Sequence, residues 1–399
     1  MSWLEAVWAA EIHRETYIAI LDSWIPHGKR GDFAKKVGIR REYLSYLCAL
    51  DHPAEEKYPI RRLPSSQLAE KIATALPAPP EVRYSLLENM HLAHIHMAQA
   101  YYHMRGETSQ PEVRKNLSDL EKMHREATFG DNPQHVKRAY RVVRDASVSL
   151  LQHLSPEIYP ISYARVCLYL HDAQNILDRA DDALRFAKLA RLILENEDVS
   201  EPAFSNEQID DLLINAIRCE AVAYHNLGLD KQTPPIFAKV EATSAYQRMK
   251  AIWEPFIGRD MLNTMSLVPR YSIREAQKIA HKIISINEHR NDGLSLLMAR
   301  ESWARCLVQQ GKLQQAERIF IEENERLHLL PQAGFLHRAL LFKTGAQIAW
   351  EMKDLDLWKE RIREALSLMD RSGLSHQLRL AREAFGAALD SILDDLNPR

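Results

Sequence analysis

Basic residues are concentrated in one short stretch near the start of the chain. Between positions 27 and 50, six lysines and arginines stand against two acidic residues, although the whole chain carries a net charge of −2. Such side chains bind DNA phosphates, and arginine and other polar side chains also contact base edges. The stretch predicts a nucleic-acid interface, the alternative being an ordinary solvated face. The residues expected to contact DNA are Arg30, Lys35, Lys36, Arg40, Arg41, Glu42, Ser45 and Tyr46.

The elements that would position these side chains are two short helices joined at Gly38. Glycine takes the positive φ of a tight turn without steric cost. Apolar residues on either side of it predict that the two helices pack against each other and leave the start of the second one exposed. These apolar residues are Phe33, Ala34 and Val37 before the turn, and Tyr43, Leu44 and Leu47 after it.

This stretch resembles the lambda-repressor-like, or XRE-type, helix-turn-helix family. The matching pieces are Phe33-Ala34, Val37-Gly38, Ile39, Arg40-Arg41 and Leu44-Ser45, and the segment Pro64–Ala73 is similar to the family's fourth helix. The chain departs from the family where Arg30 replaces the usual glutamine and where Cys48-Ala49-Leu50 replaces Glu-x-Gly. The resemblance implies double-stranded DNA as a partner, with the helix that starts at Arg40 entering the major groove.

The C-terminal two thirds repeats a helical hairpin. Aligned positions are spaced by roughly 50, 43, 40 and 42 residues, which indicates an α-solenoid of stacked helix pairs. These positions are Ala183, Thr233, Ala276, Ala316 and Trp358. The segment from Gly311 through Leu313 and Ala316 to Phe320 resembles a tetratricopeptide repeat. We therefore expect an all-α fold with an N-terminal helix-turn-helix domain and a tetratricopeptide-like solenoid.

A helix-turn-helix module followed by helical repeats resembles the peptide-pheromone receptors of Gram-positive bacteria and their phages. The resemblance implies quorum sensing, with a short signalling peptide bound in the concave face of the repeats. Amides pair with a peptide backbone and arginine clamps carboxylates, whereas the plainer interpretation is the wet face of amphipathic helices. Tetratricopeptide-like inner positions are Arg165, Asp172 and Glu301, and the chosen ligand contacts Asn175, Asn215, Arg218, His225, Asn226, Arg305, Gln309, Lys343 and Gln347.

Other chemistry has little support in the residues. No phosphate-binding glycine loop, nucleophile elbow or zinc-finger spacing occurs, so we expect no enzyme and no cofactor. His91 and His94 share a helical face, but no carboxylate or cysteine nearby completes a metal site, and we expect no metal. The four cysteines are widely spaced and no apolar run spans a membrane, which favours a cytoplasmic location.

Three regions follow from these patterns. Residues 1–78 form the predicted DNA-binding domain, 79–133 connecting helices, and 134–399 the repeat domain for ligand sensing and dimerisation. A single short recognition helix reads few base pairs, so we expect a homodimer, paired through helix 80–104 or the C-terminal helices from Leu374. The predicted function is ligand-controlled regulation of transcription. The alternative is a protein-interaction scaffold whose helix-turn-helix serves assembly.

Overall fold

A computed structural model gives the structure of the chain. It describes residues 3–48, 63–103, 110–129, 133–177, 179–196, 199–229, 232–266, 272–330, 333–372, 381, 385–386 and 388–389. Over these residues the chain forms helices and no strand, which confirms the all-α class. The C-terminal dimer surface predicted from Leu374, apart from those last few positions, lies outside the described residues.

Seventeen α-helices are bounded within this part of the chain. They are α1 (Trp3–Trp24), α2 (Arg30–Val37), α3 (Arg41–Cys48), α4 (Ser66–Ala75), α5 (Pro80–His103), α6 (Gln110–Phe129), α7 (Pro133–Leu151), α8 (Pro160–Ile176), α9 (Ala180–Leu194), α10 (Asn206–Asn226), α11 (Thr233–Ala242), α12 (Ser244–Met265), α13 (Ile273–His289), α14 (Gly293–Val308), α15 (Leu313–Arg326), α16 (Phe335–Glu351) and α17 (Leu355–Ser372). None of them has the length and apolar composition needed to cross a membrane.

The chain divides into two compact units. The first unit holds residues 1–124 and 138–174, and the second holds 125–137 and 175–399. In the first unit α1 packs along α5, α4 packs on α5, and α3 contacts both α1 and α2. Helix α5, placed by sequence in a connecting region, therefore forms part of the same core as the short helices α2 to α4.

The second unit is built in two layers of helices. Helices α10, α12, α14 and α16 contact one another in succession, while α11, α13 and α15 each pack against the two members of that row beside them. The aligned repeat positions are all buried, since each is at most 3% exposed. They are Ala183, Thr233, Ala276, Ala316 and Trp358. The repeat pattern therefore correctly predicted one buried position on each of the helices α9, α11, α13, α15 and α17.

Candidate nucleic-acid interface and ligand face

The turn between α2 and α3 closes as the glycine pattern predicted. Gly38 has φ of 79°, in the left-handed region that favours glycine. Its N–H donates to the Lys35 carbonyl at 3.2 Å, and the Ile39 N–H donates to the Ala34 carbonyl at 3.0 Å. These bonds satisfy the carbonyls at the end of α2 and turn the chain into α3.

Helix α3 has one buried and one exposed face. Leu44 and Leu47 are fully buried, and the Tyr17 hydroxyl of α1 donates to the Leu47 carbonyl at 3.4 Å. Arg40 and Arg41 lie on the opposite side, where both are exposed. The start of α3 is thus held from behind by α1, and its basic end faces solvent.

The other residues predicted to bind DNA, apart from Arg30, lie at exposed or half-buried positions. Lys35 and Glu42 are exposed, and Ser45 and Tyr46 are half-buried. The Lys36 ammonium reaches α4, where it donates to the Ala75 carbonyl at 2.9 Å.

Arg30 differs from its predicted role as a DNA contact. It is 7% exposed and forms an ion pair with Asp22 of α1, a partner that the local charge pattern does not reveal. A guanidinium that is buried and already paired inside the unit is a poor phosphate contact. We therefore leave Arg30 out of the candidate interface.

Tyr43 lies on the exposed face of α3, although the sequence pattern had placed it in the apolar stripe. It is 37% exposed and stacks on Tyr46, with ring centroids 6.2 Å apart and planes inclined by 16°. Partial burial raises the pKa of Tyr43, so its hydroxyl stays protonated and can donate a hydrogen bond. The helical period could have predicted the exposure of Tyr43. Leu44, Leu47 and Cys48 already fill the buried stripe of α3, and Tyr43 falls outside it.

A buried ionic network joins α1 to α7 inside the first unit. Arg141 Nε lies 2.5 Å from Glu11 Oε1, and the same guanidinium pairs with Glu15. Arg138 Nε also donates to Glu15 Oε2 at 2.7 Å. The sequence gave no indication of these contacts, because the partners lie more than a hundred positions apart. The network fixes α1, the helix that supports α3, against α7.

Polar side chains join the first helices of successive pairs in the second unit. The Asn226 amide of α10 donates to Asn175 Oδ1 of α8 at 3.1 Å. Arg218 Nε of α10 donates to Asp260 Oδ2 of α12 at 2.5 Å. Three of these four residues were predicted ligand contacts. Asn175 and Asn226 bond to each other, and Arg218 bonds to Asp260, which was not predicted.

The same arrangement continues through α14 to α16. The Asn263 amide oxygen of α12 accepts from Ser302 Oγ of α14 at 2.6 Å and also from the Arg305 guanidinium. Thr344 Oγ1 of α16 donates to Glu301 Oε1 of α14 at 2.5 Å. We call this set the polar ladder. Its members are Asn175, Asn226, Arg218, Asp260, Asn263, Ser302, Arg305, Glu301 and Thr344.

The remaining predicted ligand residues lie beside the polar ladder or apart from it. Asn215 Oδ1 accepts from Arg218 at 3.4 Å, which places Asn215 next to the ladder. Lys343 precedes Thr344 on α16 and is half-buried. His225 and Gln347 are half-buried in α10 and α16, and Gln309 is exposed just beyond α14. The sequence missed Asp260, Asn263, Ser302 and Thr344.

The second unit also has a cavity, and it is lined by residues outside the polar ladder. It has a volume of about 370 Å³ and is bounded by α11, α12 and α13. Ile257, Met261 and Ile279 contribute apolar walls, and an ion pair between Lys282 and Glu254 borders it. Its lining contains none of the ligand residues predicted from the repeat pattern.

The four cysteines are all buried. Burial raises the pKa of the Cys48 thiol to about 11 and that of Cys306 to about 11, so both stay protonated at neutral pH. A protonated thiol is a poor nucleophile and a poor metal ligand. These two side chains therefore serve the packing of α3 and α14.

No protein-family model matches the chain, and no curated protein matches its sequence.

Proposed function

We propose that the protein is a DNA-binding regulator of transcription whose helical-repeat unit binds a ligand that controls DNA binding. The observation that carries the proposal is the exposure of Arg40 and Arg41 at the start of α3, while Leu44 and Leu47 behind them are fully buried. This is the geometry that a recognition helix needs to enter a major groove.

The placement of Arg40 is poor for stability, which supports a role outside the fold. Its carbonyl accepts from the Leu44 N–H at 3.1 Å, so Arg40 occupies the N-cap position of α3. Arginine caps a helix worse than serine or aspartate by about 1 kcal/mol. Its positive charge also lies at the positive end of the helix dipole, at a cost of about 0.3–1 kcal/mol. Phosphates brought to this end would reverse the sign of that interaction.

Other exposed groups around Arg40 fit the same use. Lys29 and Lys35 are exposed around α2, and a Cβ placed on Gly31 would lie 3.7 Å from Arg41 Cδ, so Arg41 lies across the start of α2. Phosphate contacts from these groups would position the duplex. Arg40 and Arg41 would contact phosphates beside the major groove and, together with Glu42, would also reach base edges.

The ligand-binding part of the proposal rests on the polar ladder. Amide groups donate and accept hydrogen bonds, and guanidinium groups donate them. Those of Asn175, Asn226 and Arg218 would therefore hold an extended peptide or another polar ligand in place. They lie half-buried along one row of helices, where a ligand would replace some of the hydrogen bonds that they make to each other and to their neighbours. Alternatively, the repeats bind another protein and α2–α3 serve assembly.

A homodimer completes the proposal, because one short recognition helix reads too few base pairs for useful specificity. Helix α5 offers a surface for it. Tyr84 is 69% exposed and Ile95 is 48% exposed, while the other side of α5 packs on α1. Such exposed apolar side chains are typical of an interaction surface.

The test is selection of DNA duplexes from a pool with a random central segment, using the full-length protein. We expect the wild-type protein to enrich a discrete sequence, with two half-sites if it binds as a dimer. The variant Arg40→Ala/Arg41→Ala should enrich none. The matched control is Arg114→Ala/Lys115→Ala, an adjacent exposed basic pair on α6 of the same unit, which should enrich the wild-type sequence.

Circular dichroism would establish that each variant is folded before selection. Equal enrichment by the wild-type protein and by Arg40→Ala/Arg41→Ala would contradict the proposal. Failure of the folded wild-type protein to enrich any duplex would favour the scaffold alternative.

A further inference from the structure

The cavity between α11, α12 and α13 has apolar walls. Ile257 and Ile283 are each 1% exposed, and Met261 and Ile279 are half-buried beside them. Its volume of about 370 Å³ lies within the range of small-molecule sites, which are mostly apolar concavities of about 300–1,000 Å³. The cavity therefore has the size and the lining of a site for a small organic ligand.

Helices α12 and α13 pack closely at Gly258, which lies in the cavity lining. A Cβ at Gly258 would lie 2.6 Å from Ile283 Cγ2 and 3.4 Å from Ile279 Cγ2, so a larger residue would force α13 away. One turn before Gly258, Glu254 forms an ion pair with Lys282 of α13. These contacts hold the two helices together and fix the Glu254 carboxylate beside the apolar walls.

Tyr246 of α12 contributes a buried polar side chain to the lining. It is 3% exposed, and no hydrogen bond joins its hydroxyl to the residues that the structure describes. Burial raises the pKa of Tyr246 to about 12, with the negative charges of Glu254 and Glu241 adding to the effect. The hydroxyl therefore stays protonated at neutral pH, and both carboxylates lie close enough to act on it.

Carboxylates outnumber ammonium groups around the cavity. The lining holds three glutamates and two lysines. The Lys282 side chain, which pairs with Glu254, is 54% exposed, whereas that of Glu254 is 20% exposed, so water screens the ammonium more than the carboxylate. Glu241 forms no ion pair with another residue of the described chain. The part of the cavity near Tyr246 is therefore acidic.

A protonated amine on an apolar body matches this arrangement. An ammonium group has three N–H donors, which suit two carboxylates and the oxygen of a phenol. Hydrogen bonds between charged groups are stronger than those between neutral ones. An apolar body would cover the isoleucine and methionine walls and exclude water from them. A ligand carboxylate, in contrast, would meet Glu241 and Glu254 with the same sign of charge.

We propose that the cavity binds a small primary amine with an apolar body, and that Glu241, Glu254 and the Tyr246 hydroxyl hold its ammonium group. The apolar body lies between α12 and α13, against the side chains that form the walls. This site is separate from the polar ladder, so the inference goes beyond the proposed function and does not depend on it.

The experiment is isothermal titration calorimetry of the full-length protein at neutral pH with three probes of equal chain length. Octylamine carries the positive charge, octan-1-ol is neutral and octanoate is negative. We expect octylamine to bind with a stoichiometry of one. Octan-1-ol should bind about tenfold more weakly, because it lacks the charged hydrogen bonds. Octanoate should give no measurable binding, because its carboxylate is repelled.

Removing the two carboxylates tests the part of the site that holds the ammonium group. The variant Glu241→Gln/Glu254→Gln keeps the size of both side chains. It should weaken octylamine binding about tenfold and leave the affinity for octan-1-ol unchanged. The matched control is Glu322→Gln/Glu325→Gln, an exposed pair on α15 of the same unit, which should change neither affinity.

Filling the cavity tests the position of the apolar body. Ile279→Trp places a larger side chain in the lining and should abolish binding of both octylamine and octan-1-ol. Ile321→Trp makes the same exchange at a position on α15 that is 43% exposed, and it should bind both probes like the wild-type protein. Circular dichroism would establish that each variant is folded before titration.

Absence of octylamine binding by the folded wild-type protein would overturn the proposal. Binding of octan-1-ol or octanoate as tight as that of octylamine would overturn it as well, since the carboxylates would then have no effect. Unchanged octylamine affinity in Glu241→Gln/Glu254→Gln or in Ile279→Trp would place the amine elsewhere and would also contradict it.

Discussion

Arg141 Nε of α7 lies 2.5 Å from Glu11 Oε1 of α1, across 130 positions of sequence. Both side chains are at most 5% exposed, so this ion pair is in the interior of the first unit. Helix α1 also reaches α3, through the bond from the Tyr17 hydroxyl to the Leu47 carbonyl. The support of the candidate recognition helix and the position of α7 therefore depend on the same helix.

Removing Arg141 should strongly destabilise the protein. The variant Arg141→Met keeps most of the side-chain volume but removes the closer guanidinium from buried Glu11, which keeps only the longer contact to Arg14 Nη1 at 3.4 Å. Breaking a buried pair from one side costs about 3 kcal/mol or more. Urea unfolding measures the loss, and adding Glu11→Gln to Arg141→Met should recover part of it.

Arg138→Met is the matched control for this prediction. Its guanidinium also pairs with Glu15, but it is 30% exposed, so its loss should cost no more than about 1 kcal/mol. Similar losses in Arg138→Met and Arg141→Met would show that burial of the Glu11 pair has no special effect.

The turn at Gly38 gives a second prediction. A Cβ at Gly38 or at Gly28 would meet no atom within 4 Å, so space is equal at the two sites, but only Gly38 has a positive φ. Gly38→Ala should lower the free energy of unfolding by about 1–2 kcal/mol. Gly28→Ala should leave it unchanged or raise it by up to about 1 kcal/mol. Equal effects on the urea midpoint would refute the requirement for the left-handed turn.

Local patterns predicted the elements that depend on local physics. The turn at Gly38 and the buried positions Leu44 and Leu47 follow from helical periodicity and glycine conformation, and the structure confirms them. The repeat spacing placed Ala316 and Trp358 in the packing between helices. In each case the deciding interaction lies within about one helix or one repeat.

The sequence failed where the partner lies far away along the chain. Arg30 has the same residue type as Arg40, and only the position of Asp22 on α1 shows that Arg30 is buried. Asp260 and Asn263 are ordinary polar residues of α12 until Arg218 and Arg305 of neighbouring helices reach them. Periodicity gives the face of a helix, but it does not give the packing register that pairs charges between helices.

Exchanging Arg40 for serine should separate stability from DNA binding. Serine is a good N-cap and removes a positive charge from the N-terminus of α3, so Arg40→Ser should raise the free energy of unfolding by about 1 kcal/mol. Affinity for a selected duplex should fall about tenfold, because a DNA contact is lost. Urea unfolding and fluorescence anisotropy measure the two quantities. A variant that is both more stable and unchanged in affinity would remove Arg40 from the interface.

Lys343 should make stability depend on pH in a specific direction. Its pKa is about 8 in the folded protein and near 10.5 when unfolded, so between these values the unfolded chain binds more protons. Stability contributed at this site therefore rises with pH across that window, and below pH 8 the full penalty is present. Lys343→Met should be more stable than wild type by on the order of 3 kcal/mol at pH 7.

That advantage of Lys343→Met should shrink steadily as the pH approaches 10.5. Urea unfolding of the two proteins at pH 7, 8, 9 and 10 measures the difference, in which the titration of all shared groups cancels. A difference that stays constant over this range would show that Lys343 does not titrate with a lowered pKa.

The most direct measurement of the central claim is the salt dependence of duplex binding by the full-length protein. Each phosphate contact that is lost lowers the slope of log affinity against log salt concentration by about 1. We predict that Arg40→Ala/Arg41→Ala weakens binding and reduces the magnitude of the slope by about 2, while Arg114→Ala/Lys115→Ala changes neither. Wild-type affinity and an unchanged slope in Arg40→Ala/Arg41→Ala would contradict the claim that the start of α3 contacts DNA.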